Sequence, residues 1–240
     1  LEPVSGIRAP LEFYRDIDTL DPAVVGDVKQ IWEVNRHNFL IYLGKAYWIS
    51  GDRRYYEKWR DVILSWIEDN PYNVGVNWES SVELAFRAVN WIWSGYFFRD
   101  ELVKDEELRG SMAETLYLHG RHIYHHLSYY FSPNTHLTGE ALGLLYIGKA
   151  FPFMKPSAEW AARAVDILER ELFKQILDDG GHFEMATYYH KYTIDFYLHY
   201  YILHGGSSDS NEGLKNRIRK MVTHLAMISE PDGTIPLLGD

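Results

Sequence analysis

The stretch Ser80-Ser81-Val82-Glu83-Leu84-Ala85-Phe86-Arg87-Ala88-Val89-Asn90-Trp91-Ile92-Trp93-Ser94-Gly95-Tyr96-Phe97-Phe98 reads as a single helix. Val82, Ala85, Phe86, Val89, Ile92, Trp93 and Tyr96 recur at helical spacing and form one apolar stripe. The same periodicity fills the chain on both sides. Upstream, from Asp27, the residues Val28, Ile31, Trp32, Asn35, Phe39, Tyr42, Leu43, Ala46 and Ile49 share one face until Gly51-Asp52 stops the run. A further helix is predicted over residues 53–68 and ends at Asn70-Pro71, because the residue before a proline is pushed out of helical geometry. Downstream, helices are predicted over 105–129, 136–150, 157–177, 182–203 and 211–229. Strand signals are nearly absent. The links are short and carry Gly, Pro, Asn or Asp, which makes successive helices antiparallel hairpins. No repeat at a fixed period is present, so a regular solenoid is disfavoured. The expected fold class is all-α, an incomplete (α/α) toroid of antiparallel helical hairpins.

The ends differ from this middle. Residues 1–26 mix Pro, Gly and charge and read as an irregular lead-in; 27–230 form the helical domain; 231–240 are turn chemistry leading out of it. The chain opens on Leu and stops at Pro236-Leu237-Leu238-Gly239-Asp240, so it is expected to be a segment of a longer protein. With 240 residues and 46% hydrophobic content it can bury a sizeable core. The 18 Tyr, 11 Phe and 8 Trp mostly serve that core, and such rings also line sugar-binding grooves. A net charge of −10 argues against nucleic acid as a partner, and an acidic polymer would need a local cationic groove. There is no cysteine, hence no disulfide or thiolate–metal chemistry. No apolar run is long enough for a membrane span, and no signal peptide opens the chain.

Two segments place protonatable side chains inside apolar helical sequence. Ser132-Pro133-Asn134-Thr135-His136-Leu137-Thr138-Gly139-Glu140 offers an amide, an imidazole and a carboxylate. Asn134 stands where an N-cap is expected, and a helix N-terminus gathers N–H donors that favour an anion. A side-chain amide there can hydrogen-bond a sugar carboxylate and so acidify the adjacent carbon, with His136 assisting and Glu140 orienting. The second segment, Gly181-His182-Phe183-Glu184-Met185-Ala186-Thr187-Tyr188-Tyr189-His190, offers two phenols beside Glu184 and His190. A phenol can serve as base and then acid when cationic neighbours lower its pKa. Adjacent helical residues point about 100° apart, so one of Tyr188 and Tyr189 is expected to face a given cleft; periodicity does not choose between them. Together the two segments supply what β-elimination of a uronic-acid polysaccharide requires.

Two further clusters carry plainer readings. His119, His122 and His126 have i, i+3, i+7 spacing that suits a metal, yet no His-Glu-x-x-His pattern accompanies them, and neither a metal nor any other cofactor is assigned. With Arg121 these imidazoles would instead lend a groove positive charge. Glu79, Glu83 and Arg87 are spaced for intrahelical ion pairs, while Asn77, Trp78 and Glu79 at the helix start can meet a sugar.

These residues resemble the heparinase II/III-like polysaccharide lyases, specifically their N-terminal helical toroid domain. The likeness rests on Asp27-Val28-Lys29-Gln30-Ile31-Trp32-Glu33-Val34-Asn35-Arg36, on Asn77-Trp78-Glu79-Ser80-Ser81-Val82-Glu83, on Asn134-Thr135-His136-Leu137-Thr138-Gly139-Glu140, on the segment from Glu184 to His190, and on the final Gly239-Asp240, in that order. The resemblance implies a following antiparallel β-sandwich domain of the same protein, an acidic polysaccharide such as a glycosaminoglycan as substrate, and a periplasmic or secreted location. It implies that Asn134 neutralises the uronate carboxylate and that the Tyr directly before His190, Tyr189, is the acid–base phenol. It also implies a His from the β-sandwich domain, so this segment alone is expected to be nearly inactive. Two other classes remain open on the residues themselves. A helical-toroid glycoside hydrolase would use two carboxylates among Glu79, Glu140 and Glu184, and a non-catalytic carbohydrate-binding domain would use the aromatic groove alone.

Overall fold

Acidic caps lead the chain into its helices. Asp21 accepts the backbone N–H of Ala23 at 2.8 Å and starts α1 (Pro22–Val25), with proline at the first helical position. Asp27 accepts the N–H of Lys29 at 3.0 Å and starts α2 (Val28–Asn35). A computed structural model of the chain describes residues 1–204 and 212–239. Beyond α2 it contains α3 (Leu40–Ser50), α4 (Arg54–Asp69), α5 (Ser81–Phe97), the short α6 (Arg99–Leu102), α7 (Glu106–His125), α8 (Thr135–Ala150), α9 (Ser157–Gln175), α10 (Thr187–Leu203) and α11 (Glu212–Ile228). The described residues form no strand; Phe13 pairs with Val74 and Ile176 with His182 as isolated bridges. The start of the last predicted helix at Asn211, and Asp240, lie outside the described residues.

Four hairpins, α3–α4, α5–α7, α8–α9 and α10–α11, stand side by side. Their first helices touch in the order α3, α5, α8, α10, and the second helices form an outer row in which α4 meets α7 and α9 meets α11. The result is an all-α open arc, the incomplete toroid that the helix pattern implies. Residues 1–26 are mostly irregular, but they hold a 3₁₀ turn (Tyr14–Asp16) and α1. Tyr14 enters the main core, while Ile17, Val25, Ile31 and Val76 make a small core of their own.

The structure differs from the sequence expectation at three helices. The run from Asp27 to Gly51 is two helices, because His37 adopts φ +60° between them. Its imidazole is buried, accepts the Trp91 indole N–H at 2.9 Å and stacks on that ring, so a tertiary contact breaks a helix whose two stripes happen to run in phase. The helix predicted over 182–203 starts only at Thr187. Gly180 (φ +92°) and Met185 (φ +55°) fold residues 180–186 into a turn, so Glu184 and His190 do not share a helix. Finally, α5 is buried on two faces. Leu84, Ala88 and Trp91 enter the main core, whereas the predicted stripe residues Phe86, Val89 and Ile92 pack on a second cluster with Leu142, Tyr146 and Phe196. Trp93 and Tyr96, at the end of that stripe, are exposed.

The helix α8 lies at the centre, buried from Leu137 to Gly148. Its glycines set how near its neighbours come. A Cβ at Gly143 would stand 2.5 Å from Ala85 Cβ and 2.6 Å from Ala85 Cα on α5, and one at Gly148 would stand 2.7 Å from the Ser157 carbonyl oxygen. Replacing Gly143 by Ala gains helix propensity of about 1 kcal/mol but forces α5 and α8 apart, and overpacking of that kind outweighs the gain. G143A is expected to lose about 2 kcal/mol net, a fall in Tm of roughly 4–8 °C by thermal melting. A Tm at or above that of the parent would contradict this packing.

Candidate functional site

Because the two helices of each hairpin run in opposite directions, the first helices α5, α8 and α10 all begin at one end of the arc, and their first turns face a common groove of about 590 Å³. Ser80, Val82, Glu83 and Phe86 line it from α5, Asn134, Thr135 and His136 from α8, and Glu184, Tyr188, Tyr189 and Tyr192 from α10 and the turn before it. Lys29, Trp32 and Glu33 of α2, with Arg36 directly after it, close the remaining side. Three helix N-termini directed at one space favour an anion there.

Each polar side chain is held by another. Asn134 Oδ1 accepts the His136 backbone N–H at 3.0 Å, the N-cap role, and Asn134 Nδ2 donates to Glu184 Oε2 at 2.9 Å. Glu184 Oε1 accepts from the Thr135 backbone N–H at 3.1 Å and from the Thr135 hydroxyl. Behind this turn the buried Gln175 donates to the carbonyls of Pro133 and Asn134, both at 3.3 Å, and to Glu171 at 3.0 Å. Its Oε1 therefore accepts from His182 Nε2 at 3.3 Å, which leaves His182 Nδ1 to accept the Glu184 backbone N–H at 3.4 Å. Burial pulls the His182 pKa down to about 4, consistent with that neutral tautomer.

Arg36 makes a two-toothed contact with Glu83, at 2.6 and 2.8 Å, and reaches Glu33 at 2.5 Å. Its guanidinium lies over the Phe86 ring, 4.8 Å from the centroid. The Tyr188 and Tyr192 hydroxyls are 3.2 Å apart with their rings edge to face, and burial is the main cause that raises the Tyr192 pKa. His136 is exposed, yet partial desolvation lowers its pKa, opposed by Glu83 and Glu184.

Of the residues singled out from sequence, Asn134, His136, Glu184, Tyr188 and Tyr189 share this groove. Tyr188 and Tyr189 both line it, where one of the two was expected to face a cleft. The others lie elsewhere. His190 is buried, with Nε2 3.2 Å from the Met221 carbonyl and its ring against His224. Trp78 is a core ring at 1% exposure, and Asn77 is buried against Asn70. Glu79 precedes α5 and accepts the Thr19 hydroxyl at 3.0 Å. Glu140 is 1% exposed and accepts the backbone N–H and hydroxyl of Ser128 at 2.7 and 2.6 Å.

The proposed cationic contribution from α7 is not found at the groove. Arg121 is exposed elsewhere, His126 bonds its own helix carbonyl, and burial lowers the pKa values of His119 and His122. The groove side chains sum instead to two cations, Lys29 and Arg36, against the three carboxylates Glu33, Glu83 and Glu184. No intrahelical ladder from Glu79 through Glu83 to Arg87 forms either. Glu83 turns to Arg36, while the fully buried Arg87 donates to His119 Nε2 (3.0 Å) and to the carbonyls of Asn35 (3.1 Å) and Asn77 (2.9 Å). Among the described residues no three His, Cys, Asp or Glu side chains converge as metal ligands.

Sequence reasoning missed Arg36, Glu33, Lys29 and Tyr192 as groove residues. The i, i+4 spacing of Tyr188 and Tyr192 was a readable signal. The reach of α2 across the groove was not, because it depends on the break at His37.

A family model described as Heparinase II/III N-terminus matches residues 10–240. A heparin-sulfate lyase of Bacteroides stercoris is 30% identical over 90% of this chain and 35% of its own length. One of Bacteroides thetaiotaomicron is 28% identical over 77% of this chain and 29% of its own. A crystal structure of heparinase III superposes with a TM-score of 0.72 at 22% identity, over 85% of this chain and 32% of that one, a likeness of fold. The chain thus spans about a third of the length of the curated relatives it matches.

Buried Glu140 carries a pH signature. Desolvation raises its pKa from 4.5 to about 7, against the lowering effect of the Ser128 hydrogen bonds. Between those values the folded state holds a proton that the unfolded state has released, so this group's contribution to stability falls as pH rises. Relative to the parent, E140Q is expected to gain roughly 3 kcal/mol between about pH 5 and about pH 8 in urea unfolding. A pH-independent difference would contradict the raised pKa.

Proposed function

The chain belongs to the heparinase II/III N-terminal family, a family of polysaccharide lyases, and from that premise we propose that it is the helical catalytic domain of a lyase cleaving a uronic-acid polysaccharide by β-elimination. The observation that carries this reading is the meeting of Asn134 and His136, from the first turn of α8, with Tyr188 and Tyr189, from the first turn of α10, in one groove under three helix N-termini. The relatives' name, heparin-sulfate lyase, points to a glycosaminoglycan as the polymer.

In this reading the uronate carboxylate lies at the α8 N-terminus. The second N–H of Asn134 Nδ2 donates to it and withdraws charge as the adjacent carbon acidifies. The Tyr189 phenolate removes the proton from that carbon. The electron pair forms the C4–C5 double bond, the C4–O bond breaks, and the departing glycosidic oxygen takes the proton. His136, at the groove edge, assists by hydrogen bonding. The dipoles of the three helices offset a groove whose side chains alone are slightly acidic. A β-sandwich domain supplies the remaining acid–base His, so the helical domain alone turns over little substrate, and the enzyme works in the periplasm or outside the cell. The described helices include none long and apolar enough to cross a membrane. The hydrolase reading finds less support, since Glu79 and Glu140 lie outside the groove, and of the carboxylates in it Glu33 and Glu83 are paired with Arg36 while Glu184 is bound to Asn134 and Thr135.

The test is ultraviolet absorbance of a chain continued through the β-sandwich domain, acting on a panel of uronic-acid polysaccharides. Elimination creates a conjugated unsaturated uronate that absorbs, and hydrolysis does not. Y189F is expected to lose at least about a hundredfold in rate while Y188F stays within a few-fold of the parent. New reducing ends without absorbance, or a Y189F protein at the parental rate, would contradict the reading.

A further inference from the structure

Glu184 stands in a groove argued to receive a substrate carboxylate, yet its own carboxylate is turned inward. All three of its side-chain hydrogen bonds run to the turn that carries Asn134: from Asn134 Nδ2 at 2.9 Å, from the Thr135 N–H at 3.1 Å and from the Thr135 hydroxyl. The turn is gripped from its other side by Gln175, which is fully buried and donates to the Pro133 and Asn134 carbonyls. His182 links the two grips through Gln175 Oε1 and the Glu184 backbone N–H. These contacts fix which way the Asn134 amide faces. Oδ1 is turned to the His136 N–H, and one hydrogen of Nδ2 is turned to Glu184. The other hydrogen of Nδ2 has no partner among the described residues and is left to the groove.

We propose that Glu184 is a positioning residue for the elimination: it clasps Asn134 so that the amide presents an N–H, and not its carbonyl, to the substrate carboxylate. The proposal rests on the lyase reading and assigns Glu184 no contact with substrate. A carboxylate suits the task because it is purely an acceptor. It can receive donors from both Asn134 and Thr135, whereas an amide of the same shape cannot. In E184Q, Oε1 can keep the Thr135 bonds that cap α8, but Nε2 then meets Asn134 Nδ2, donor against donor. A flip of the Asn134 amide would relieve this contact only by setting Nδ2 against the His136 N–H that Oδ1 now accepts, so neither orientation keeps both bonds and the free N–H is no longer held toward the substrate carboxylate.

The substitution E184Q therefore keeps the Thr135 bonds to position 184 while removing the clasp on Asn134. In the chain continued through the β-sandwich domain, E184Q is expected to keep Tm within a few degrees of the parent and KM within about twofold, while kcat falls on the order of a hundredfold. In an N134A background the same substitution is expected to change kcat by less than about twofold, because the group it positions is gone. A parental kcat in E184Q, or losses that multiply in the double variant, would overturn the proposal. If the parent forms no unsaturated product, the lyase reading itself fails. The clasp is then judged by NMR of asparagine-labelled protein. One slowly exchanging Asn134 side-chain proton, lost in E184Q, supports the clasp, and equal exchange in both proteins overturns it.

Discussion

The helix α8 is buried around its circumference for most of its length, so its unpaired N-terminal N–H groups cannot all be left to water. That constraint shapes much of the surroundings. Asn134 caps the helix from within, Glu184 caps it from the turn before α10, and Gln175 holds the carbonyls of the same turn from α9. Three segments far apart in sequence are thereby tied at one point, and the groove opens at that point. The cap that stabilises the central helix is built from the same atoms that the proposed chemistry uses, so fold and site are specified together.

A second buried polar junction holds the opposite wall. Arg87 is buried at 1% exposure and forms no ion pair among the described residues, and burial, opposed by the charge of Glu83, draws its pKa down to about 9. It is satisfied by two carbonyls, the His119 ring nitrogen and the face of Trp66 at 4.2 Å. One of those carbonyls belongs to Asn35, at the end of α2, directly before Arg36. The Arg87 contact and the left-handed His37 together end α2 where Arg36 can reach Glu83 across the groove. Removing a hydrogen-bonded cation of this kind would leave several acceptors unpaired at once.

The helices and their hairpin order are legible in the chain because apolar periodicity and Gly or Pro stops are local signals. The start of α8 within one residue of Asn134 was readable for the same reason. What could not be read depends on long-range contacts. His37 breaks a helix through Trp91, and the 180–186 turn exists because Glu184 has a partner on α8. Asn77, Trp78 and Glu140 sit in motif-bearing stretches, yet lie buried away from the groove. A motif position reports that a side chain is constrained, and here many of the constraints are structural. Lys29, Glu33 and Arg36 joined the groove unannounced, since which turn of α2 faces it is set by the junction at Arg87 and not by the spacing within α2.

The central claim is that a uronate carboxylate is received at the N-terminus of α8, between Asn134 and the phenols of α10. A crystal structure of the Y189F protein soaked with a uronic-acid oligosaccharide tests it most directly. The account predicts a sugar carboxylate within hydrogen-bonding distance of Asn134 Nδ2, with the ring at position 189 beside the carbon that bears the acidic proton. An oligosaccharide seated outside this groove, or one whose carboxylate points away from Asn134, would contradict it.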